Sequence, residues 1–153
     1  AMPALLRPAP VNDVAANEPI VQAAYPPYIE RIGRNPVTML EDYRQQVEAG
    51  RVQALEHAGR VHGFVVLIDA DDYLLLYNLA VDPVAQGLGY GRQLLESSEQ
   101  QASQGSLRLY TNDAMTENIA LYTSKGYEET HRAEENRLRR VYMRKDLTPT
   151  STR

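Results

Sequence analysis

LLLYNLAVDPVAQGLGYGRQLLESSE, residues 74–99, decides how the chain folds. The apolar run to Val81 reads as the end of a strand. Asp82-Pro83 breaks it, because proline fixes φ and offers no backbone donor. Three glycines follow at alternate positions, Gly87, Gly89 and Gly91. After them Leu88, Leu94, Leu95 and Ala102 recur near helical spacing, so a helix is expected over Leu88 to Ala102. Backbone N–H groups converge where such a helix begins, and glycines let a phosphate approach the main chain. The segment therefore points to a protein that holds a pyrophosphate-bearing molecule.

Outward from this unit the chain alternates strands and helices. Leu5 to Pro8 reads as a first strand. Asn12 or Asp13 caps a helix running to about Ala24, which Tyr25-Pro26-Pro27-Tyr28 interrupts. Thr38 to Ala49 reads as a second helix, stopped by Gly50. Val52 to Glu56 and Val61 to Ile68 are strands joined by the hairpin turn His57-Ala58-Gly59-Arg60. Asp69 to Asp72 turns the chain into the strand Tyr73 to Val81. Past the glycine loop come a strand at Leu107 to Thr111 and a helix at Thr116 to Ser124 closed by Gly126. Tyr127 to Thr130 and Leu138 to Lys145 are the last strands, around an acidic turn at Glu134-Glu135. The pattern is mixed α/β, an antiparallel meander followed by a strand–helix–strand crossover. Residues 2–147 read as one domain and 148–153 as a polar, disordered tail.

Composition narrows the function. The chain has 153 residues, enough for a single good core. Its net charge of −4 argues against nonspecific nucleic-acid binding, which depends on Lys and Arg neutralising phosphates. No apolar run reaches the length of a membrane span, and no signal-peptide pattern is present. Cysteine is absent, which excludes disulfides, thiolate ligands and a cysteine nucleophile. Together these favour a cytoplasmic setting. His57, His62 and His131 lack ligand spacing, so solvated or packing roles are expected and no metal site.

Three nucleotide readings compete for the glycine loop. A Walker loop needs Lys-Ser or Lys-Thr after its last glycine, where this chain has Arg92-Gln93. A dinucleotide fingerprint needs Gly-x-Gly-x-x-Gly and an acid on the following strand end, and Leu107 to Thr111 carries none. In the third reading Gln86, Gly89 and Gly91 fit Gln/Arg-x-x-Gly-x-Gly/Ala, the coenzyme A loop of the GNAT acetyltransferases. Leu79-Ala80-Val81-Asp82-Pro83 resembles that family's strand end and Val-x-Pro turn. Asn118-Ile119-Ala120-Leu121-Tyr122, followed by Gly126-Tyr127, resembles its Asn-x-x-Ala-Leu-Tyr-x-x-x-Gly-Tyr form. Val141 to Leu147 resembles its closing strand.

The resemblance implies a GNAT fold, with a mostly antiparallel sheet of about seven strands splayed at a cofactor slot and about four flanking helices. It implies acetyl-coenzyme A as cofactor. Main-chain groups of Gly87, Leu88, Gly89, Tyr90, Gly91 and Arg92, after Gln86, would receive the pyrophosphate. Backbone groups along Leu79, Ala80 and Val81 would hold the pantetheine. Asn118 would contact the same arm or, as asparagine favours, cap its helix. Tyr122, four residues later and on the same helix side, would protonate the departing thiolate. A strand N–H near Asn78 to Ala80 would polarise the thioester carbonyl. No carboxylate stands on that strand, so a water held by Asn78 or Tyr77 would take the amine proton, with Glu30 as another option.

By the same resemblance, the segment with Tyr25, Tyr28, Glu30 and Arg31 borders the acceptor, and Asn112 at a strand end forms another wall. The expected reaction is direct acetyl transfer to the primary amine of a small molecule. A protein or peptide acceptor and a non-catalytic acyl-coenzyme A sensor are the alternatives. Spare edge strands leave room for a homodimer.

Overall fold

The structure, a computed structural model, describes residues 5–8, 20, 43–85, 87–103, 105–135 and 138–147. The chain builds seven strands: β1 (Leu5–Pro8), β2 (Val52–His57), β3 (Arg60–Asp69), β4 (Leu74–Val81), β5 (Ser106–Asn112), β6 (Glu128–Glu135) and β7 (Leu138–Asp146). They form one sheet in the order β1-β2-β3-β4-β5-β7-β6. Every pairing is antiparallel except β4 with β5. A parallel pair needs a crossover, and helix α1 (Tyr90–Gln101) supplies it. Helix α2 (Thr116–Ser124) links β5 to β6.

The sheet carries a core on each face. On one side α1 sends Leu94 and Leu95 against Leu55, Val65, Leu76, Leu107 and Leu109, with Tyr122 and Tyr127 beside them. Both leucines are fully buried, which contributes about 1.5–3 kcal/mol each. On the other side Tyr43 and Val47, from the helical residues 43–48, pack with Ile20 on Val52, Ala54, Phe64, Val66 and Ala80. A two-residue turn joins β2 and β3, with Ala58 at φ 55 and Gly59 at φ 77, the left-handed pair that matches strand twist.

Two expectations are corrected. Helix α1 starts at Tyr90, and Leu88 stands before it, 68% exposed, outside the apolar side it was assigned to. The left-handed backbone at Gly87 and Gly89 holds the chain out of the helix until the loop has passed. Glu134 and Glu135 are not a turn: they pair with Arg139 and Leu138, so β6 extends well beyond Thr130. Charged residues suit an edge strand, where they discourage pairing with a further chain. The helix expected from Asn12 to Ala24 falls outside the described residues except for Ile20.

Candidate active site

Strand β4 positions the site. Against β3 its register steps from Val66↔Asn78 to Leu67↔Leu76, so β4 carries one extra residue, Tyr77. A bulge of this kind bends the strand and changes which face the following side chains meet. Leu74 and Leu76 lie in the core beneath α1, yet beyond the bulge it is Leu79 and Val81 that pack there, while Ala80 enters the opposite core. Against β5 the pairing runs only from Leu74↔Leu107 to Leu76↔Leu109. The two parallel strands therefore part where the bulge begins.

The parting exposes main chain. The Asp82 N–H donates to the His62 carbonyl at 2.7 Å. Successive residues of an antiparallel strand turn their backbone groups to opposite neighbours. Ala80 thus faces β3, and Leu79 and Val81 face the side that β5 has left. The result is a slot whose wall is a strand edge.

The slot runs up to the start of α1. Gly89 occupies the N-cap position at φ 85 and ψ 8, with no side-chain cap. Gly87 has φ 87. In this conformation an L residue costs about 1–2 kcal/mol, so glycine is favoured. The first-turn N–H groups receive no capping side chain, which leaves them for an incoming acceptor. A Cβ built on Gly87 would meet nothing within 4 Å, and one on Gly91 would reach Val81 Cγ2 at 3.8 Å. The cradle is open outward and abuts the strand edge. Arg92 curls back over it, its Nη2 3.5 Å from where a Gly89 Cβ would sit. An uncapped helix start lined by a guanidinium suits a phosphate.

The other half of the site lies on α2. Tyr122 is buried at 5% exposure among the core residues below the slot. Asn118 sits one turn earlier and is half-buried. It is not the cap: Met115 holds that position and Asn118 lies inside the first turn. Asn112 does the local holding instead, its Oδ1 accepting the Ala114 N–H at 2.8 Å at the end of β5. The helix ends with the Gly126 N–H on the Thr123 carbonyl at 3.1 Å and the Tyr127 N–H on the Tyr122 carbonyl at 3.0 Å. Gly126 takes the left-handed φ of 93 that this closure needs. Gln86, Tyr25, Tyr28, Glu30 and Arg31 lie outside the described residues.

Some site residues escaped sequence reasoning. Gly63 is buried beneath α1, and a Cβ there would stand 2.6 Å from the Ala80 carbonyl oxygen and 3.2 Å from Leu94 Cδ1. A lone glycine inside an apolar strand was the available signal. His57 and His62 also gather at the loop: the His62 ring stacks on Tyr90 at 5.1 Å, and Tyr90 Oη is 3.5 Å from His57 Nδ1. His131 stacks on Tyr142 at 4.3 Å. No metal-ligand cluster occurs among the described residues. No described helix is long and apolar enough to cross a membrane.

The sequence profile of the acetyltransferase (GNAT) domain matches residues 48–129, more than half of the chain. No curated protein matches by sequence. Among solved structures, the ribosomal-protein-S18-alanine N-acetyltransferase of Escherichia coli superposes with a TM-score of 0.73 at 23% identity, covering 98% of this chain and 97% of that one. The structure of yncA from Salmonella typhimurium with its cofactor acetyl-CoA gives 0.71 at 21%, covering 99% and 98%. Ard1 from Thermoplasma volcanium gives 0.75 at 18%, covering 96% and 99%. At these identities the likeness is one of fold: the same mixed α/β architecture around a seven-stranded sheet.

Proposed function

The chain belongs to the GNAT acetyltransferase family, and from that premise we propose that it acetylates the primary amine of a small molecule. Acetyl-coenzyme A is the cofactor, and when bound it supplies an acetyl group activated as a thioester. The observation that carries this reading is the parting of β4 from β5 after Leu76 and Leu109, directly below an uncapped glycine-rich helix start.

Each part of the chain has a task in this reading. The main chain from Gly87 to Arg92 binds the pyrophosphate, with the Arg92 guanidinium adding charge. The backbone of Leu79 and Val81 holds the pantetheine arm as a neighbouring strand would. Asn118 contacts the same arm from α2. Holding two reactants in line contributes roughly 7–11 kcal/mol, so these binding residues do much of the catalysis. The N–H groups between Asn78 and Ala80 polarise the carbonyl under attack.

Tyr122 Oη carries the proton that the departing thiolate requires. A phenol titrates near 10 and a thiol near 8.5, so the transfer is uphill by about 2 kcal/mol for an unperturbed tyrosine. A hydrogen bond from Oη to the sulfur offsets that difference. On the acceptor side Asn78 holds a water that removes the amine proton. Tyr25, Tyr28, Glu30, Arg31 and Asn112 shape the acceptor site, with Glu30 attracting the cation.

Calorimetry with acetyl-coenzyme A, NAD and ATP tests the cofactor, and thiol release across a panel of small amines tests the reaction. Selective binding of acetyl-coenzyme A with amine-dependent thiol release is expected. Equal binding of all three, or none, refutes the slot reading. A second reading, a peptide acceptor, is favoured by the near-complete superposition on the S18-alanine N-acetyltransferase. Turnover of an alanine-ended peptide, and of no small amine, decides for it.

A further inference from the structure

We propose that Tyr127, anchored by Glu99 and Lys145, is a positioning residue that holds Tyr122 in place for proton transfer. The inference rests on the catalytic reading of Tyr122 and adds the device that fixes it.

The contacts run in series. Tyr127 Oη donates to Glu99 Oε2 at 2.9 Å, and Lys145 Nζ donates to Glu99 Oε1 at 3.1 Å. Glu99 thus uses both carboxylate oxygens, one on a loop and one on β7. The Tyr127 ring meets the Tyr122 ring edge-on, with centroids 5.9 Å apart. The same two residues share the backbone bond that closes α2, Tyr127 N–H to the Tyr122 carbonyl. Tyr122 is therefore held by its neighbour at main chain and at ring, and that neighbour is tied at its far end to α1 and β7.

Two observations say that this is more than filler. Glu99 lies in the last turn of α1, where the helix dipole disfavours a carboxylate. Its place is explained by the tertiary partners, because Lys145 and Tyr127 both need an acceptor there. Moreover α1 begins at the phosphate cradle, so one rigid helix connects the cradle to the tyrosine pair. Burial and the neighbouring Glu99 carboxylate push the Tyr127 phenol above the ordinary tyrosine range. Tyr127 therefore stays neutral and keeps donating its hydrogen bond to Glu99.

The test compares Tyr127→Phe in the wild-type and Tyr122→Phe backgrounds. Phenylalanine keeps the ring and removes only the anchor. Thiol release from acetyl-coenzyme A, with whichever amine of the panel turns over, gives kcat and KM. The apo protein labelled on tyrosine gives a second readout, the Tyr122 ring signal assigned by its loss in Tyr122→Phe. A 1 Å displacement of a reacting group costs about 100-fold, so a kcat loss of about 10- to 100-fold is expected, with the KM for acetyl-coenzyme A unchanged. In the Tyr122→Phe background the same change is expected to cost nothing more, because both act through one group. The Tyr122 signal is expected to broaden or split. Glu99→Gln serves if Tyr127→Phe fails to fold, and it should reproduce these results. Equal losses in both backgrounds, or an unaltered kcat and ring signal, overturn the inference while Tyr122 keeps its role. A Tyr122→Phe variant with full activity overturns the catalytic reading and this inference with it.

Discussion

The two edges of β4 differ, and the difference accounts for the site. Toward β3 the strand is paired over its whole length, with one bulge at Tyr77. Toward β5 three residue pairs are made and the strands then part. One edge gives stability; the other leaves main chain for a ligand. A strand edge is a liability because it recruits other strands. Here the open edge is short, lies inside the sheet and is flanked by α1 and α2, so an extended molecule can reach it more easily than a second chain can.

Four substitutions break or sharpen this contrast. Tyr122→Phe acts across the open slot and should have the largest effect. Turnover is expected to fall by about 100- to 10,000-fold, the range of a lost general acid, with cofactor affinity nearly unchanged in calorimetry. Unchanged turnover would remove Tyr122 from the mechanism. Gly63→Ala attacks the closed edge. The new methyl meets Ala80 backbone at 2.6 Å, an atom that cannot swing away, so a loss of about 1–3 kcal/mol in denaturant unfolding is expected. A stability equal to wild type would mean that β3 and β4 approach less closely than the structure shows.

Gly89→Ala attacks the top of the slot. At φ 85 alanine costs about 1–2 kcal/mol, and the loop relaxes or binds less well. Acetyl-coenzyme A affinity is expected to fall by about tenfold, while Gly105→Ala, also at positive φ but remote from the loop, should leave affinity intact. Leu79→Pro is the finest probe. Its N–H faces the open side, so proline removes a ligand donor and no ladder bond. A weakening of cofactor binding equivalent to about 0.5–1.5 kcal/mol is expected, with folding retained. Ala80→Pro, whose N–H faces β3, should unfold the domain. If the two prolines behave alike, the assignment of facing along β4 is wrong.

Much of this is legible in the sequence. The glycine loop, the strand before it and the helix after it follow from local rules: proline ends a strand, and glycine takes left-handed turns most readily. The closure of α2 at Gly126 was readable for the same reason, as was the hairpin at His57 to Arg60. The errors share a cause. Leu88 has helical spacing, yet Gly87 and Gly89 keep it outside the helix. Glu134 and Glu135 have the composition of a turn, yet β7 pairs with them. Asn118 has a cap's chemistry, yet the helix starts before it.

The sequence by itself determined the order of the described elements, the glycine loop before α1 and the spacing that sets Asn118 and Tyr122 on one side of α2. These depend on neighbours within a few residues, where backbone sterics act. Only the tertiary structure decided the bulge at Tyr77, the point at which β4 and β5 part, the close fit at Gly63 and the meeting of Glu99, Tyr127 and Lys145. Those depend on strands and helices far apart in the chain, because register, backbone approach and ion pairing are properties of two surfaces at once.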